Sequence, residues 1–504
     1  MVIARPARLL LIALLSTGAS ACVSNDESAP VLDASFVGYS DPTTGQTVCG
    51  NCHIDRQRSW SQTKHAHAWA TLENSGHADS SCTKCHTTGG YSNLAPDSAG
   101  YHAVSGNAQA YYQDVQCEAC HGPGAGHVSA PDASQPLTTI IADTTSGYGC
   151  GTCHRGTHNP FVEQWSASGH GTVVSATVGN ANCKPCHSAQ GALARFDPGA
   201  NYLEENNTTW QPITCAVCHD PHGDTGFPSQ LRLSAFEPDV ETNLCMQCHQ
   251  RRSVPDPASS NGAHSPQGPF LLGEAGYIPP NFQYDAARAA TTHGTTANPS
   301  LCATCHMEKF TITDEATGAF QSTSTGHGFK AIPCVDAQGQ PTGAATCPDT
   351  QRRFNACTGG GCHSSGSIAM SSRQVLAGRL QGYLDILWKD KNGNGKLDPL
   401  PTDSGLLAQV KLTTPGDFST TGTGATIITV GEGVWFDADM VKNADGSFGV
   451  HNPIYAEALL LGGTTALRAQ YTYLPAPPAQ VAREQARMRE IGARVGHADL
   501  GGGR

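Results

Sequence analysis

The sequence has little of the material from which large soluble enzymes build their cores. Of its 504 residues only 7% are aromatic and 14% are charged, while 56 are glycine and 31 are proline. No run of 18 apolar residues occurs after the N-terminus, which argues against a bundle of membrane-spanning helices. Acidic residues outnumber basic ones by 42 to 30, giving a formal net charge of -12. Because binding to a phosphate backbone requires clustered Lys and Arg, nucleic acid is excluded as a partner.

The chain is rich instead in cysteine and histidine, with 21 and 22 residues respectively. Eighteen cysteines form nine pairs, and a histidine directly follows the second cysteine of every pair. Eight pairs have the spacing Cys-x-x-Cys-His: Cys49 and Cys52, Cys82 and Cys85, Cys117 and Cys120, Cys150 and Cys153, Cys183 and Cys186, Cys215 and Cys218, Cys245 and Cys248, and Cys302 and Cys305. The ninth pair, Cys357 and Cys362, has four intervening residues, of which three are glycine.

This spacing matches the chemistry of covalent haem attachment. Two thiols three positions apart can each add to one vinyl group on the same porphyrin edge, and the adjacent histidine then reaches the iron. A single pair could instead be half of a zinc site or a redox disulfide, but zinc ribbons need no histidine at the next position. The repetition therefore predicts nine c-type haems, with the ninth motif interpreted as a stretched version. The predicted proximal iron ligands are His53, His86, His121, His154, His187, His219, His249, His306 and His363.

Thirteen further histidines exceed the nine that a second axial ligand at every iron would require. The motifs form three groups of three by spacing, and repeated features follow the first and fourth motifs and the third and sixth motifs. Histidines at these repeated offsets are the first candidates for distal ligands: His65, His127, His170 and His222. Histidines in Gly-flanked or polar loops are the next candidates: His102, His293 and His327. A surface position and a role as distal ligand are equally good explanations of His67, His77, His158 and His264. His497 is expected to be solvated. His451 is either a ligand or the first residue of a helix.

The first 22 residues predict an export signal, because Arg5 and Arg8 precede an apolar segment and small residues precede Cys22. The run ending at Cys22 is similar to a lipobox, in which this cysteine is acylated and anchors the chain in the membrane. Cleavage before Cys22 without acylation is the alternative. In an oxidising compartment we expect the two remaining cysteines, Cys334 and Cys347, to form a disulfide.

The sequence after His363 has no cysteine. Apolar residues at helical spacing predict a helix over 368–388. Short strands are expected over 406–436 and a second helix over 453–471. Residues 480–495 are expected to form a charged helix or a frayed tail. Asp390, Asn392, Asn394 and Asp398 fit positions 1, 3, 5 and 9 of a calcium loop. Pro401 stands where the bidentate Glu belongs, so structural Ca²⁺ and a plain Asn/Gly turn remain alternatives.

The predicted fold class is a multihaem cytochrome c, mostly irregular coil with short α-helices wrapped around a haem chain and minor β structure in the C-terminal part. We expect a signal peptide over 1–22, a tether over 23–40, three-haem modules over 41–135, 136–235 and 236–366, a haem-free α/β region over 367–475, and a polar tail over 476–504.

Residues 49–127, with Trp60, His65 and the segments Cys82–Gly89 and Cys117–His127, resemble the tetrahaem cytochrome of ammonia oxidisers. The stretches 293–329 and 445–455 resemble larger outer-membrane multihaem lipoproteins. The resemblance implies electron transfer, with some catalytic relatives that reduce nitrogen or sulfur oxyanions.

We therefore expect an electron carrier, not an enzyme, that passes respiratory electrons across or at the outer membrane to an extracellular acceptor. Its expected partners are other redox proteins, an outer-membrane barrel protein, and a metal oxide or soluble metal acceptor. It is expected to be an exported outer-membrane lipoprotein or cell-surface protein, with the periplasm as the alternative. A periplasmic multihaem reductase and a filament-forming cytochrome are the alternative functions.

Overall fold

In a computed structural model of the protein most of the chain is irregular, which confirms the predicted fold class. The structure describes residues 30–76, 78–136, 149–156, 159–173, 175–197, 209–223, 225–259, 261–279, 292–295, 297–313, 317–337, 339, 341–418 and 427–479, together with 482, 483 and 486. The predicted signal peptide, Cys22, and most of the tether and of the polar tail lie outside these residues.

Helices in the part of the chain that carries the motifs are short. The α-helices there are Ile54–Trp60, Ala68–Asn74, Thr83–His86, Cys117–His121, Ala125–Ser129, Phe161–Ser166, Ser175–Val178, Lys184–His187, Ala189–Phe196, Cys215–Cys218, Gln267–Leu272 and Leu301–His306. The 3-10 segments are Cys49–Asn51, His65–His67, Gly106–Tyr112, Cys150–Thr152, Gly169–Gly171, Pro228–Gln230, Thr292–Gly294, Asp349–Gln351 and Asn355–Gly361. Two antiparallel hairpins pair Tyr39–Asp41 with Gln46–Thr47 and Lys309–Thr313 with Phe320–Thr325.

The haem-free region forms the largest apolar core among the described residues. Its helices are Gly366–Leu387, Leu406–Thr413, Val430–Asp439 and Pro453–Gln470, with a 3-10 turn at Pro415–Phe418 and a π-helical turn at Met440–Ala444. The helix predicted over 368–388 is confirmed: it begins where Ser365 accepts a hydrogen bond from the Ile368 amide, and it buries Leu380 and Leu384. Val375, which belongs to the same apolar pattern, is 62% exposed.

The strands expected over 406–436 are wrong, since the described residues of that segment are mainly helical. The Thr429 hydroxyl accepts a hydrogen bond from the Glu432 amide, and this cap starts the helix Val430–Asp439. Val410 and Val434 are both fully buried in the common core. Tertiary packing on a helical face therefore overrides the β-propensity of these branched residues.

Candidate haem-binding site

Each motif folds so that its histidine closes a helical turn that begins at the first cysteine. In the first motif the His53 amide donates a hydrogen bond to the Cys49 carbonyl at 3.0 Å. In the ninth motif the His363 amide donates to the Cys357 carbonyl at 3.1 Å, although two more residues intervene. The 3-10 segment Asn355–Gly361 accommodates the extra length. The stretched motif thus reproduces the local closure of the regular ones.

The eighteen motif cysteines form no disulfide, as thioether attachment requires. Cys334 and Cys347 form the expected disulfide, with their Cα atoms 6.0 Å apart. This bridge leaves the motif thiols available for haem.

Eight of the motif histidines face a second histidine ring, with ring centroids 6.1–6.5 Å apart. Two imidazole nitrogens that bind opposite sides of one metal ion at about 2 Å each place their ring centroids about 6 Å apart. The spacing therefore fits an iron held between two imidazoles. With the motif histidine first, the pairs are His53 with His127, His121 with His222, His154 with His65, His187 with His264, His219 with His327, His249 with His170, His306 with His451, and His363 with His293.

The structure places six of the seven sequence-derived candidates opposite a motif histidine, and His102 is the exception. The Tyr101 amide donates to the Thr88 carbonyl at 2.9 Å, and Gly89 and Gly100 form a β-bridge. These contacts hold the His102 ring beside Gly90, where its Nε2 is buried without a hydrogen-bond partner in the described structure. Within the described residues no motif histidine ring faces His102, and its role as a distal ligand stays a prediction.

Two histidines that the sequence left open, His264 and His451, do face motif histidines. Neither lies at a repeated offset, because both belong to segments without a counterpart in the other groups. A local signal existed for His451: Asn452 caps the helix Pro453–Gln470 by accepting a hydrogen bond from the Tyr455 amide, which leaves His451 outside the helix.

In the described structure no histidine ring faces His86 of the second motif. Its Nδ1 lies 2.8 Å from the Ala68 carbonyl oxygen. His67 is exposed, and His77, His158 and His497 lie outside the described residues.

A single continuous cavity of about 3860 Å³ is lined by motif residues and by most of the facing histidines. Pockets for one small molecule measure about 300–1,000 Å³, so this cavity is sized for several large groups. Arg352 and Arg379 line it, and they form ion pairs with Asp349 at 3.5 Å and with Glu457 at 2.7 Å. Guanidinium groups at the cavity wall suit carboxylates such as haem propionates. The residues present therefore fit c-type haem.

Burial favours the neutral imidazole, which is the form that binds metal, at four of these histidines. Burial lowers the pKa of His154, His170, His222 and His327 to about 4. The other ring nitrogen is often fixed by the backbone: in His219 and His306 the Nδ1 donates to the carbonyl oxygens of Ser229 and Phe329 at 2.7 and 3.0 Å. Such bonds orient each ring and leave Nε2 free for the metal.

Some thiols of different motifs lie close enough together that one shifts the pKa of the other, which indicates which motifs are neighbours. The other thiol is the largest cause of the shift in the pairs Cys49 and Cys117, Cys85 and Cys153, Cys150 and Cys215, Cys186 and Cys248, and Cys245 and Cys302. Weaker charge effects act between Cys120 and Cys150, Cys218 and Cys248, and Cys305 and Cys357. The motifs thus form one connected series.

The predicted calcium loop closes on itself through hydrogen bonds. Asp390 accepts from the amides of Gly393 and Gly395, and Asp398 accepts from the side-chain amides of Asn392 and Asn394. Among the described residues no group of three or more His, Cys, Asp or Glu is arranged to hold a metal ion. Calcium binding here stays a prediction.

Comparison with known proteins supports the haem interpretation. A family model described as "Cytochrome c554 and c-prime" matches residues 48–122, and one for a doubled CXXCH motif matches residues 211–253. The C-type polyheme cytochrome OmcC of Geobacter sulfurreducens is 25% identical over 311 residues, which cover 52% of this chain and 37% of the relative. The multiheme cytochrome MtrA of Shewanella baltica is 25% identical over 194 residues, covering 35% and 54%. OmcB of Geobacter sulfurreducens is 23% identical over 401 residues, covering 69% and 49%.

These matches span about half or less of the length of the curated relatives. Among solved structures, the "Outer Cell Wall Cytochrome OcwA" superimposes with a TM-score of 0.51 and 18% identity, over 86% of this chain and all of that one, which shows a shared fold. None of the helices within the described ranges is long and apolar enough to cross a membrane. The repeated motifs and the facing imidazoles fit covalently bound haem, and the chain is similar in sequence and fold to multihaem c-type cytochromes.

Proposed function

We propose that this protein carries electrons through nine covalently bound c-type haems and that the facing histidine pairs are the axial ligands of eight of them. The observation that carries the proposal is the uniform separation of 6.1–6.5 Å between eight pairs of rings. A bound haem supplies an iron that alternates between ferric and ferrous states. The chain orients several of these imidazoles through hydrogen bonds at Nδ1, so those ligands need not move when the charge changes.

The neighbouring thiols of different motifs support an order for the nine haem positions. The first, third, fourth, sixth, seventh, eighth and ninth motifs follow one another as a line, the second lies beside the fourth, and the fifth lies beside the seventh. This is a relay with a continuous path and two side positions. Such an arrangement suits transport over distance, because each position has a near neighbour.

We infer that the relay works at or across the outer membrane and delivers respiratory electrons to an extracellular acceptor. The name of the structural neighbour, an outer cell wall cytochrome, supports a surface location, and the lipobox-like segment ending at Cys22 supports a lipid anchor. The proposed partners are a redox donor, an outer-membrane barrel protein, and a metal oxide or soluble metal ion as acceptor. The acidic chain favours a cationic docking surface.

The intact mass of the purified protein tests the number of haems. We expect nine, and the variant Cys362→Ser should carry eight if the stretched motif attaches haem. The matched control is Cys347→Ser, which removes a cysteine of the disulfide and should retain nine. Eight haems in the unaltered protein would refute the assignment of the ninth motif, and a colourless protein with zinc at the cysteine pairs would refute the whole proposal.

Electron delivery is tested separately with the reduced protein. Mixed with ferric oxide particles or a soluble ferric chelate, it should be reoxidised completely, with all haem absorbance returning to the oxidised form. Retention of most of the reduced absorbance would contradict an extracellular metal acceptor while leaving the haem assignment intact.

One observation favours a second function: at the second motif, no histidine ring among the described residues faces His86. An iron with an open face binds small ligands, so we propose reduction of a nitrogen or sulfur oxyanion at this position as the alternative. Counting high-spin irons by electron paramagnetic resonance decides: one such iron, altered by nitrite or hydroxylamine, supports a reductase. Nine low-spin irons that ignore both ligands would eliminate it.

A further inference from the structure

The eighth motif has a ligand environment with a buried carboxylate. Asp445 is fully buried, and its Oδ1 lies 2.6 Å from Nδ1 of His451, the ring that faces His306. Its Oδ2 accepts hydrogen bonds from the amide and the hydroxyl of Ser447, and the Ser447 hydroxyl accepts from the His451 amide at 3.1 Å. In the described structure no Lys or Arg forms an ion pair with Asp445, so its charge is directed at His451.

The other facing or motif histidines have neutral partners at Nδ1 wherever the structure gives a hydrogen bond to that atom. Backbone carbonyl oxygens serve His86, His127, His219, His293, His306 and His327, and a glutamine oxygen serves His249. The nearest comparison is His222, whose Nδ1 lies 3.7 Å from the Asp220 carboxylate. That distance is too long for a hydrogen bond, and Asp220 also pairs with Arg232.

We propose that Asp445 is a positioning residue that lowers the reduction potential of the haem at the eighth motif by increasing the electron donation of His451. A carboxylate on the outer nitrogen of a metal-bound histidine fixes the tautomer and raises the basicity of the ligand. A more basic ligand stabilises the ferric iron more than the ferrous iron, and haem potentials respond to such hydrogen bonding. This inference rests on the proposed function, in which His306 and His451 bind one iron.

The position of this haem gives the effect a consequence for transport. The eighth motif lies beside the seventh, since Cys245 raises the pKa of Cys302, and near the ninth, since Cys357 adds to burial in raising the pKa of Cys305. In the proposed order the eighth motif therefore lies between the first seven motifs and the ninth, which is at the end of the line. A haem of lowered potential there is a step that every electron travelling to or from the ninth haem must cross.

The test uses Asp445→Asn in the complete holoprotein, because asparagine keeps an acceptor oxygen for Nδ1 but removes the charge. In a spectroelectrochemical titration the ratio of reduced to oxidised iron at a fixed potential should rise about tenfold for one haem, a change of 59 mV for a one-electron couple. The low-spin resonance of one iron should change at the same time. The matched control, Asp220→Asn, should change that ratio less than twofold for every haem.

Two further variants keep the inference falsifiable if Asp445→Asn does not fold. Asp445→Glu restores the charge and should leave the titration close to that of the unaltered protein. Ser447→Ala removes the other partner of the carboxylate and should change the ratio less than twofold. Unchanged potentials in a folded Asp445→Asn protein, or a shift as large with Ser447→Ala, would overturn the role of Asp445. A high-spin iron at the eighth motif of the unaltered protein would instead refute the ligand assignment of the proposed function.

Discussion

Glu118 lies inside the third motif, between Cys117 and Cys120, and connects it to the start of the described chain. Its side chain is 2% exposed, and its carboxylate accepts hydrogen bonds from the amides of Val37, Gly38 and Gly124 at 2.7–3.0 Å. The substitution Glu118→Ala leaves three amides without an acceptor. Each unsatisfied buried donor costs about 1–3 kcal/mol. Two of the three amides belong to Val37 and Gly38, so we expect residues 36–38 to be destabilised by about 2–6 kcal/mol.

Hydrogen exchange of the holoprotein measures this effect locally, which is preferable because proteins with bound cofactors seldom unfold in two states. A loss of about 3 kcal/mol corresponds to a local opening constant that is roughly 100-fold larger. The amides of residues 36–38 should exchange faster by that factor in Glu118→Ala, while the exposed-site control Glu73→Ala should exchange as the unaltered protein does. Exchange within threefold of the unaltered protein would show that Glu118 does not hold this segment.

Further predictions concern the core and the ligands. Trp388→Phe removes the donor of a buried 2.8 Å hydrogen bond to Asp403 and should lower the melting temperature by more than exposed Val375→Ala does. Equal melting temperatures of the two variants would contradict the packing argument. His264→Ala should convert one low-spin iron to high spin, whereas exposed His67→Ala should convert none; an unchanged count would remove His264 as a ligand. Gly449→Ala should lower the melting temperature, because the φ of Gly449 is +84° and the new methyl group would lie 2.4 Å from the Leu380 side chain. An unaltered melting temperature would refute this.

The local chemistry of the site could be predicted from the sequence, because the residues that attach one haem are close together in the chain. The disulfide and the helix over 368–388 were also predictable, because each depends on residues that are near one another in sequence. The pairing of histidines with motifs could not be predicted. His65 faces His154 and His170 faces His249, and in each pair the two rings belong to different predicted modules. Pairing of this kind depends on how the chain folds back, and no local pattern records it.

The one wrong expectation has a physical cause. The branched residues over 406–436 favoured strands, yet Val410 and Val434 are buried in a helical core, where contacts distant in sequence decided the outcome. His102 faces no motif histidine in the described structure, and its role as a distal ligand stays a prediction.

The pairing of histidines bears on whether the three predicted modules are structural units. Only two of the eight pairs, His53 with His127 and His293 with His363, lie within one predicted module; the other six join a motif to a histidine of another module or of the haem-free region. Among the described residues, the clusters of buried apolar residues outside the haem-free region contain only three to five residues each, too few to order long stretches of irregular chain. Under the proposed ligation, haem bound between histidines of different modules would supply much of the cohesion. On that proposal the sequence repeat reflects how the chain attaches haem, and the connected set of haem sites is the unit that folds.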